Sequence, residues 1–197
     1  MALRRATVSF ALLQIGLGLV LLAGLWLAWP AWRLGMITDS VRKQYPGVPL
    51  FSTADLSTWL ADPEKSKPLV LDVRSEAEYA FSHIVGAIRI DPATELPAPI
   101  LPEDLRRVLI AYCSTGEKSA PFAVRLQEAG YTRVFALEGG IIRWINEGRP
   151  LTDGQSLVTS VHPGDGHAVR LLSRFHRDTT TAPSAPASPK PAAPPAL

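Results

Sequence analysis

The sequence contains a single cysteine, Cys113, among 197 residues. One thiol cannot form a disulfide within the chain, and it cannot supply a zinc site built from several thiolates. We therefore predict no metal site and expect no cofactor. Cys113 is either a small buried side chain or a reactive thiol, and its sequence context has to decide between the two.

The chain also has little excess charge of either sign. Twenty Lys and Arg residues stand against 18 Asp and Glu residues, which leaves a formal net charge of +2. Proteins that bind nucleic acids through phosphate neutralisation carry a clear basic excess. The composition therefore excludes a nucleic-acid partner.

Charged residues and histidine are absent from residues 6–32, a stretch rich in leucine. About 20 apolar residues suffice to cross a bilayer. We therefore predict one transmembrane helix over 6–32, preceded by a short basic N-terminus over 1–5. The alternative is a cleaved signal peptide, but such peptides have a shorter apolar region that ends in small residues. Trp26, Trp29 and Trp32 instead end this stretch, as is typical of a membrane interface.

Basic residues flank the predicted span on both sides, with Arg4 and Arg5 before it and Arg33, Arg42 and Lys43 after it. The positive-inside rule alone does not decide between the two orientations. A very short basic N-terminus favours the cytoplasmic side for that end. We predict a single-pass protein of the bacterial inner membrane whose folded domain faces the periplasm, with residues 33–49 as a linker.

The C-terminal part divides into an extension, residues 152–178, and a tail, residues 179–197. The tail is dominated by proline and alanine and cannot bury enough apolar surface to fold, so we predict disorder and a candidate binding segment for a protein partner. Within the extension, residues 168–177 place leucines and arginines in a short amphipathic pattern. That pattern fits either a helix packed on its own domain or a basic segment on the membrane surface.

Residues 50–151 have the length of one compact domain. Short apolar runs, which predict buried strands, alternate with helix signals. Strands are predicted over 69–73, 87–90, 108–112 and 134–137, the last being the final strand. Helices are predicted after Ser52, from Ser75, from Pro102, over 120–129 and over 141–146. The alternation predicts an α/β fold with a parallel sheet covered by helices on both faces.

Cys113 ends one of these buried strands, and the next helix begins a few residues later. Open α/β folds place ligands at such a position, outside the carboxyl ends of the strands. Gly116 permits a tight loop in which successive amides point inward, and the helix N-terminus and Lys118 add positive charge. These influences favour the thiolate form of a cysteine, so the setting predicts a nucleophile.

Two reactions suit a cysteine surrounded by main-chain amides, namely attack on phosphorus and attack on sulfur. Thiolate phosphatases need an arginine six residues after the cysteine to bind phosphate oxygens in a bidentate manner. That position is Ser119 here, and Lys118 cannot reproduce bidentate binding. The sequence therefore favours sulfane sulfur transfer.

Five separated stretches resemble the rhodanese (thiosulfate sulfurtransferase) family over about 100 residues. They are Asp72 to Tyr79, Ser82 to Ala87, Tyr112 to Ser119, and Leu126 to Tyr131 followed by Leu137 to Trp144. The resemblance implies a three-layer rhodanese-like domain and a persulfide intermediate on Cys113. It also implies a six-residue active-site loop, whose members are Ser114, Thr115, Gly116, Glu117, Lys118 and Ser119.

Other motif residues are interpreted as supporting rather than reacting. Arg74 and Glu78 have the spacing of a pair on one helical turn, and Asp72 could cap amides or orient Arg74. In the family motif His83 mainly braces the fold. Glu117 departs from the arginine-rich loops of the family, and its negative charge disfavours the binding of an anionic donor such as thiosulfate.

Two hypotheses of function follow. The first is a membrane-anchored sulfurtransferase that moves sulfane sulfur from a small donor, such as thiosulfate or a persulfide, to a thiol or protein acceptor through Cys113. The second is a non-catalytic or relay module of the same fold that docks a protein partner at the membrane.

Overall fold

The computed structural model describes residues 31–162, 164 and 168–172, together with residues 14, 17, 18, 20 and 24. Most of the predicted membrane span 6–32 and all of the tail 179–197 lie outside these residues. In the part of the chain that is described, no helix is both long and apolar enough to cross a membrane.

The described residues form an alternating series of helices and strands. A helix, α1, covers residues 31–44. The later elements are β1 (Leu50–Phe51), α2 (Thr53–Ala61), β2 (Leu69–Asp72), α3 (Glu76–Phe81), β3 (His83–Ile84), β4 (Ile88–Arg89), β5 (Leu109–Tyr112), α4 (Ser119–Glu128), β6 (Val134–Leu137), α5 (Gly140–Asn146), β7 (Leu151–Thr152) and β8 (Leu157–Val158), before a final 3₁₀ turn over Ala168–Leu171.

Five strands form one sheet in the order β1-β6-β5-β2-β4. All of its strand pairs are parallel, as the alternating pattern predicts. The central strand β5 is buried at every position, because helices cover both of its faces. A second, antiparallel sheet joins β3, β7 and β8.

Side chains on the two faces of the parallel sheet enter two separate hydrophobic clusters. On one face, Ile110 and Leu137 pack with Leu56 of α2 and Ile141 of α5. On the other face the strands pack against α4, with Leu71, Leu109, Ala111, Ala123 and Leu126 in the same cluster. The domain therefore has three layers, as expected from the sequence.

Local signals in the sequence correctly place two helix starts. The Ser52 side chain accepts a hydrogen bond from the amide of Asp55 at the start of α2. At the start of α3, Ser75 and Glu78 form a capping box, in which each side chain accepts a hydrogen bond from the other residue's amide.

The packed core extends beyond the predicted domain boundaries 50–151. Residues 33–49, interpreted as a linker, mostly belong to α1, and Leu34 and Val41 are buried. From the C-terminal extension, Val161, Leu171 and Leu172 are buried in the same cluster as α2 and α5. Of the two interpretations of segment 168–177, packing on the domain therefore holds for residues 168–172. Residues 173–177 lie outside the described part.

Two predicted elements differ from the structure. Pro102 does not start a helix, because the following residues form turns whose carbonyl groups bind the segment after α4. Leu105 O accepts from the Thr132 amide, and Pro102 O accepts from the Tyr131 hydroxyl. Strand β6 is not the final strand either, since β7 and β8 follow it, and β7 pairs with both β3 and β8.

Candidate active site

Cys113 lies directly after β5, and its loop leads into α4. Its Sγ accepts hydrogen bonds from the amides of Gly116 at 3.1 Å and Lys118 at 3.3 Å. Gly116 has a φ of +103°, a conformation that side-chain-bearing residues rarely adopt and that allows the loop to turn its amides inward. The sulfur therefore faces main-chain donors at the N-terminus of α4, where the partial positive charge of the helix adds to their effect.

The N-terminus of α5 holds the other side of the loop. The amides of Ile141 and Ile142 donate to the carbonyls of Cys113 and Ser114 at 3.0 and 3.1 Å. This close approach requires Gly140, because a Cβ there would lie 2.3 Å from the carbonyl oxygen of Cys113. The close contact between α5 and the cysteine loop therefore depends on Gly140.

Cys113 is only 2% exposed, yet it lines a pocket of about 410 Å³. The lining residues come from the cysteine loop, α3 and its cap, and the C-terminal extension: Ser75, Glu78, Cys113, Ser114, Thr115, Glu117, Lys118, His162, Gly164 and Ala168. An adjoining pocket of about 320 Å³ shares Cys113 and Lys118 and reaches Arg89. Cys113 therefore packs into the same hydrophobic cluster as Ala111 and Phe122, and it also lines two adjoining pockets large enough for a small molecule.

Two acidic residues, Glu78 and Glu117, line the larger pocket together with Lys118. Nearby hydroxyls turn toward these carboxylates. Thr115 donates to Glu117 at 2.7 Å, and Ser75 donates to Glu78 at 2.7 Å. Ser114 makes a longer contact with Glu78 at 3.5 Å. The sequence-predicted loop residues are thus brought together around the sulfur, in a pocket with mixed charge.

Ser119 occupies the position at which a thiolate phosphatase needs arginine. It is fully buried, and its hydroxyl donates to the carbonyl of Gly116 at 3.2 Å. A short hydroxyl turned toward its own loop cannot bind phosphate oxygens in a bidentate manner. It closes the first turn of the loop instead.

A buried polar network lies next to the cysteine strand. Arg74 donates to both carboxylate oxygens of Asp72, at 3.0 and 2.6 Å, and to the carbonyl of Ser82 at 2.7 Å. Burial would lower the pKa of Arg74, but the hydrogen bonds and charge of Asp72 outweigh that effect and raise it. Asp72 therefore orients Arg74, one of its two expected roles, and also accepts from the Arg74 amide at 3.0 Å.

The predicted pairing of Arg74 with Glu78 is wrong. Asp72 binds the guanidinium through two oxygens inside the domain, a geometry that a carboxylate on the exposed turn of α3 cannot match. Glu78 instead completes the capping box and faces the pocket.

Tyr112 connects this network to the cysteine, its neighbour in the chain. The hydroxyl donates to Asp72 at 2.6 Å and accepts from the amide of Ile84 at 3.2 Å. Burial, followed by the nearby charge of Asp72, raises the pKa of Tyr112 well above its ordinary value. The phenol therefore stays protonated and acts as a hydrogen-bond donor.

His83 lies away from the pocket lining. Its Nδ1 lies 2.8 Å from the carbonyl of Tyr79, and its ring stacks on the Tyr79 ring at 3.9 Å. It also belongs to β3, which pairs with β7. This geometry is that of a side chain that connects α3 to the second sheet.

Three pocket residues have no counterpart in the sequence-based site, namely His162, Gly164 and Ala168. They lie in the C-terminal extension. His162 and Gly164 belong to no motif, and the amphipathic pattern that begins at Ala168 predicts packing or membrane contact but no pocket. Only the packing of the extension brings the three residues to the pocket, so no pattern in the sequence indicated a site there. Among the residues that the structure describes, no cluster of acidic, histidine and cysteine side chains could hold a metal ion.

A parallel α/β domain with an amide-lined cysteine loop at the carboxyl end of its central strand defines a class of cysteine-dependent transfer and phosphatase folds. Within that class, the family model of the rhodanese-like domain matches residues 53–147. A sulfurtransferase of Allochromatium vinosum is 37% identical over 98 residues, covering 49% of this chain and 87% of the relative. The chain therefore belongs to the rhodanese-like sulfurtransferase family.

Other relatives carry different names. A tRNA uridine(34) hydroxylase of Cupriavidus taiwanensis is 29% identical over 115 residues, covering 54% of this chain. The chain spans only 41% of that relative's length. Among solved structures, a rhodanese-related protein of Thermoplasma volcanium is 31% identical, covers 53% of this chain and 97% of its own, and has a TM-score of 0.45.

Proposed function

We propose that this chain is a sulfurtransferase that carries sulfane sulfur on Cys113 from a small donor to a thiol or protein acceptor. The single observation that carries the proposal is the position of Cys113 Sγ, which accepts two main-chain amide hydrogen bonds at the base of a pocket. Since some relatives carry the name of a hydroxylase, family membership alone does not select the reaction. The chemistry of the cysteine loop favours sulfur transfer.

The proposed reaction has two steps. The Cys113 thiolate attacks the outer sulfur of a donor such as thiosulfate, a sulfur–sulfur bond forms at Cys113, and the donor's own sulfur–sulfur bond breaks. Its electron pair leaves with sulfite. The acceptor, a thiolate or cyanide, then attacks the terminal sulfur of the persulfide and restores the Cys113 thiolate. No net redox change of the enzyme is needed.

The amides of Gly116 and Lys118 suit the intermediate of this reaction. A persulfide adds one sulfur atom and keeps a negative charge, which inward-facing N–H groups and a helix N-terminus stabilise. Ser119 leaves the loop without the bidentate guanidinium that phosphoryl transfer requires. Sulfur transfer therefore makes better use of these residues than phosphate hydrolysis.

The test is mass spectrometry of the complete purified chain after exposure to thiosulfate. We expect one added sulfur at Cys113 that cyanide removes, with release of thiocyanate, and no adduct in Cys113→Ser. Absence of the adduct and of turnover would contradict the proposal. That result would favour the competing hypothesis, in which this fold docks a protein partner without catalysis.

We propose in addition that residues 6–32 anchor the enzyme in the inner membrane with the domain in the periplasm. Support comes from the uncharged 27-residue stretch in the sequence. Extraction of the membrane fraction at alkaline pH, and protease access to the C-terminal tail in spheroplasts, test this. Release into the supernatant would contradict anchoring, and a tail protected from protease would contradict the orientation.

A further inference from the structure

The C-terminal extension supplies part of the pocket wall above Cys113. His162, Gly164 and Ala168 all line it, and all three lie outside the residues that match the family model. The neighbouring residues Val161, Leu171 and Leu172 are at most 1% exposed. The wall is therefore fixed to the hydrophobic core and is a built part of the site.

His162 has defined partners within this wall. Its Nδ1 accepts a hydrogen bond from the amide of Gly164 at 3.0 Å, and its ring lies edge-on to Phe81 with a centroid separation of 5.5 Å. Since Nδ1 is the acceptor, the proton of the neutral imidazole is on Nε2. The ring can therefore offer one N–H donor.

Side-chain donors for an anionic ligand are scarce among the described residues of the pocket. The hydroxyls of Ser75 and Thr115 donate to Glu78 and Glu117, and that of Ser114 is directed toward Glu78. Lys118 and His162 are the remaining N–H side chains of the lining. A sulfur donor that carries anionic oxygens has to bind beside two carboxylates. Its affinity should therefore depend on hydrogen bonds from Lys118 and His162.

We propose that His162 is a substrate-contact residue of this site, which together with Lys118 binds the anionic oxygens of the sulfur donor. The proposal rests on the function proposed above and extends it to a segment outside the family domain. Arg89, in the adjoining pocket, is the alternative anchor. It already donates to Asp91 at 3.3 Å and to the carbonyl of Arg74 at 3.1 Å, so it is less available to a ligand.

Steady-state kinetics with thiosulfate and cyanide separate these assignments. His162→Phe keeps a ring beside Phe81 but loses the N–H, and we expect it to raise KM for thiosulfate about tenfold with little change in kcat, as for loss of a hydrogen bond to a charged group. His162→Gln keeps an N–H donor and should restore most of the affinity. Gln155→Ala, an exposed change in the same extension, is the matched control.

A second measurement does not depend on turnover. Sulfite should protect Cys113 from alkylation by iodoacetamide, and the sulfite concentration for half protection should rise about tenfold in His162→Phe and much less in His162→Gln. Equal protection in wild type and His162→Phe would overturn the proposal, as would a KM increase confined to Arg89→Met. If wild type forms no persulfide but sulfite protection still depends on His162, the proposed function fails and the binding site stands.

Discussion

Tyr112 links strand β5, which ends next to Cys113, to the buried Asp72–Arg74 ion pair, and its ionisation should affect the stability of the whole domain. Its hydroxyl contacts both Asp72 and the amide of Ile84. A tyrosine in the unfolded chain ionises near pH 10. Because burial holds the pKa of Tyr112 well above that value in the folded state, the folded protein binds more protons than the unfolded chain above about pH 10.

The sign of the effect follows from this difference. The free energy of unfolding should fall as the pH rises above about 10, by up to ~1.4 kcal/mol per pH unit from this residue. Tyr112→Phe should be less stable at pH 8 by about 1–3 kcal/mol, since the partners of the hydroxyl lose a hydrogen bond. Its stability should also decline less steeply at high pH.

Urea unfolding of both proteins between pH 8 and 11 measures this. The pKa values of Tyr79 and Tyr131 are also raised by burial, but both residues are present in both proteins. The difference between the two curves therefore reports on Tyr112 alone. Parallel curves over the whole range would contradict the assignment.

Residues that act through neighbours in the chain were predictable, and residues placed by tertiary packing were not. Ser75 and Glu78 are three residues apart, the spacing a capping box requires, and the structure has that box. Arg74 and Glu78 also have a favourable spacing, but the Arg74 guanidinium binds Asp72 instead, because both oxygens of that buried carboxylate accept its hydrogen bonds. Spacing along the sequence does not show which of two possible carboxylate partners will be buried with the arginine in the folded domain.

At the scale of elements, the parallel sheet and the cysteine loop followed from continuous apolar runs with turn signals between them. The helix predicted from Pro102 is absent. A proline followed by acidic residues marks a helix start only where enough residues follow to complete hydrogen-bonded turns. Here β5 begins at Leu109, and the carbonyls in between bind the segment after α4. Such a helix signal depends only on neighbouring residues, whereas the conformation of this segment depends on hydrogen bonds to Tyr131 and Thr132, which follow α4.

Gly140, the first residue of α5, lies against the backbone of the cysteine loop, and this close contact gives a prediction for the site. Gly140 has a φ of +57°, and a Cβ would lie 2.3 Å from Cys113 O and 2.6 Å from Ser114 O. Gly140→Ala should therefore combine backbone strain with a clash against the loop. We expect a loss of unfolding free energy of about 3 kcal/mol or more, with a large drop in persulfide formation.

Gly148→Ala is the matched control, because Gly148 also has a positive φ, +75°, but no atom within 4 Å of a Cβ. It carries the strain without the clash, so it should cost about 1 kcal/mol and leave persulfide formation unchanged. Thermal unfolding and mass spectrometry of both variants give the comparison. If Gly140→Ala behaves like Gly148→Ala, α5 does not hold the cysteine loop in place.

On the scale of the whole molecule, the folded unit is larger than the family domain. The family model ends at residue 147, yet the core includes Leu34 before it and Leu171 and Leu172 after it. The alternation of strands and helices identified the central sheet, because its buried strands are continuous in sequence. It did not extend to residues 33–49, which the sequence indicated only as a linker. For residues 168–177 the amphipathic pattern left packing on the domain and contact with a membrane both open.

The C-terminal extension gives a direct test of this larger unit. Leu171 is fully buried in the same hydrophobic cluster as Trp144 and Ile145, and the side chain of Asn146 donates to its carbonyl at 2.8 Å. Leu171→Ala should leave a cavity and lower the free energy of unfolding by about 2–5 kcal/mol. Leu157→Ala, at a position 70% exposed in the same extension, should change it by less than about 0.5 kcal/mol.

The same pair of variants distinguishes core packing from membrane contact. If the segment around Leu171 instead lay on an anionic bilayer, Leu171→Ala would weaken binding to phosphatidylglycerol vesicles and leave urea unfolding in their absence unchanged. Core packing predicts the reverse, with lower stability in solution. Because the same segment carries the wall of the pocket, loss of Leu171 should also speed alkylation of Cys113, whereas Leu157→Ala should not.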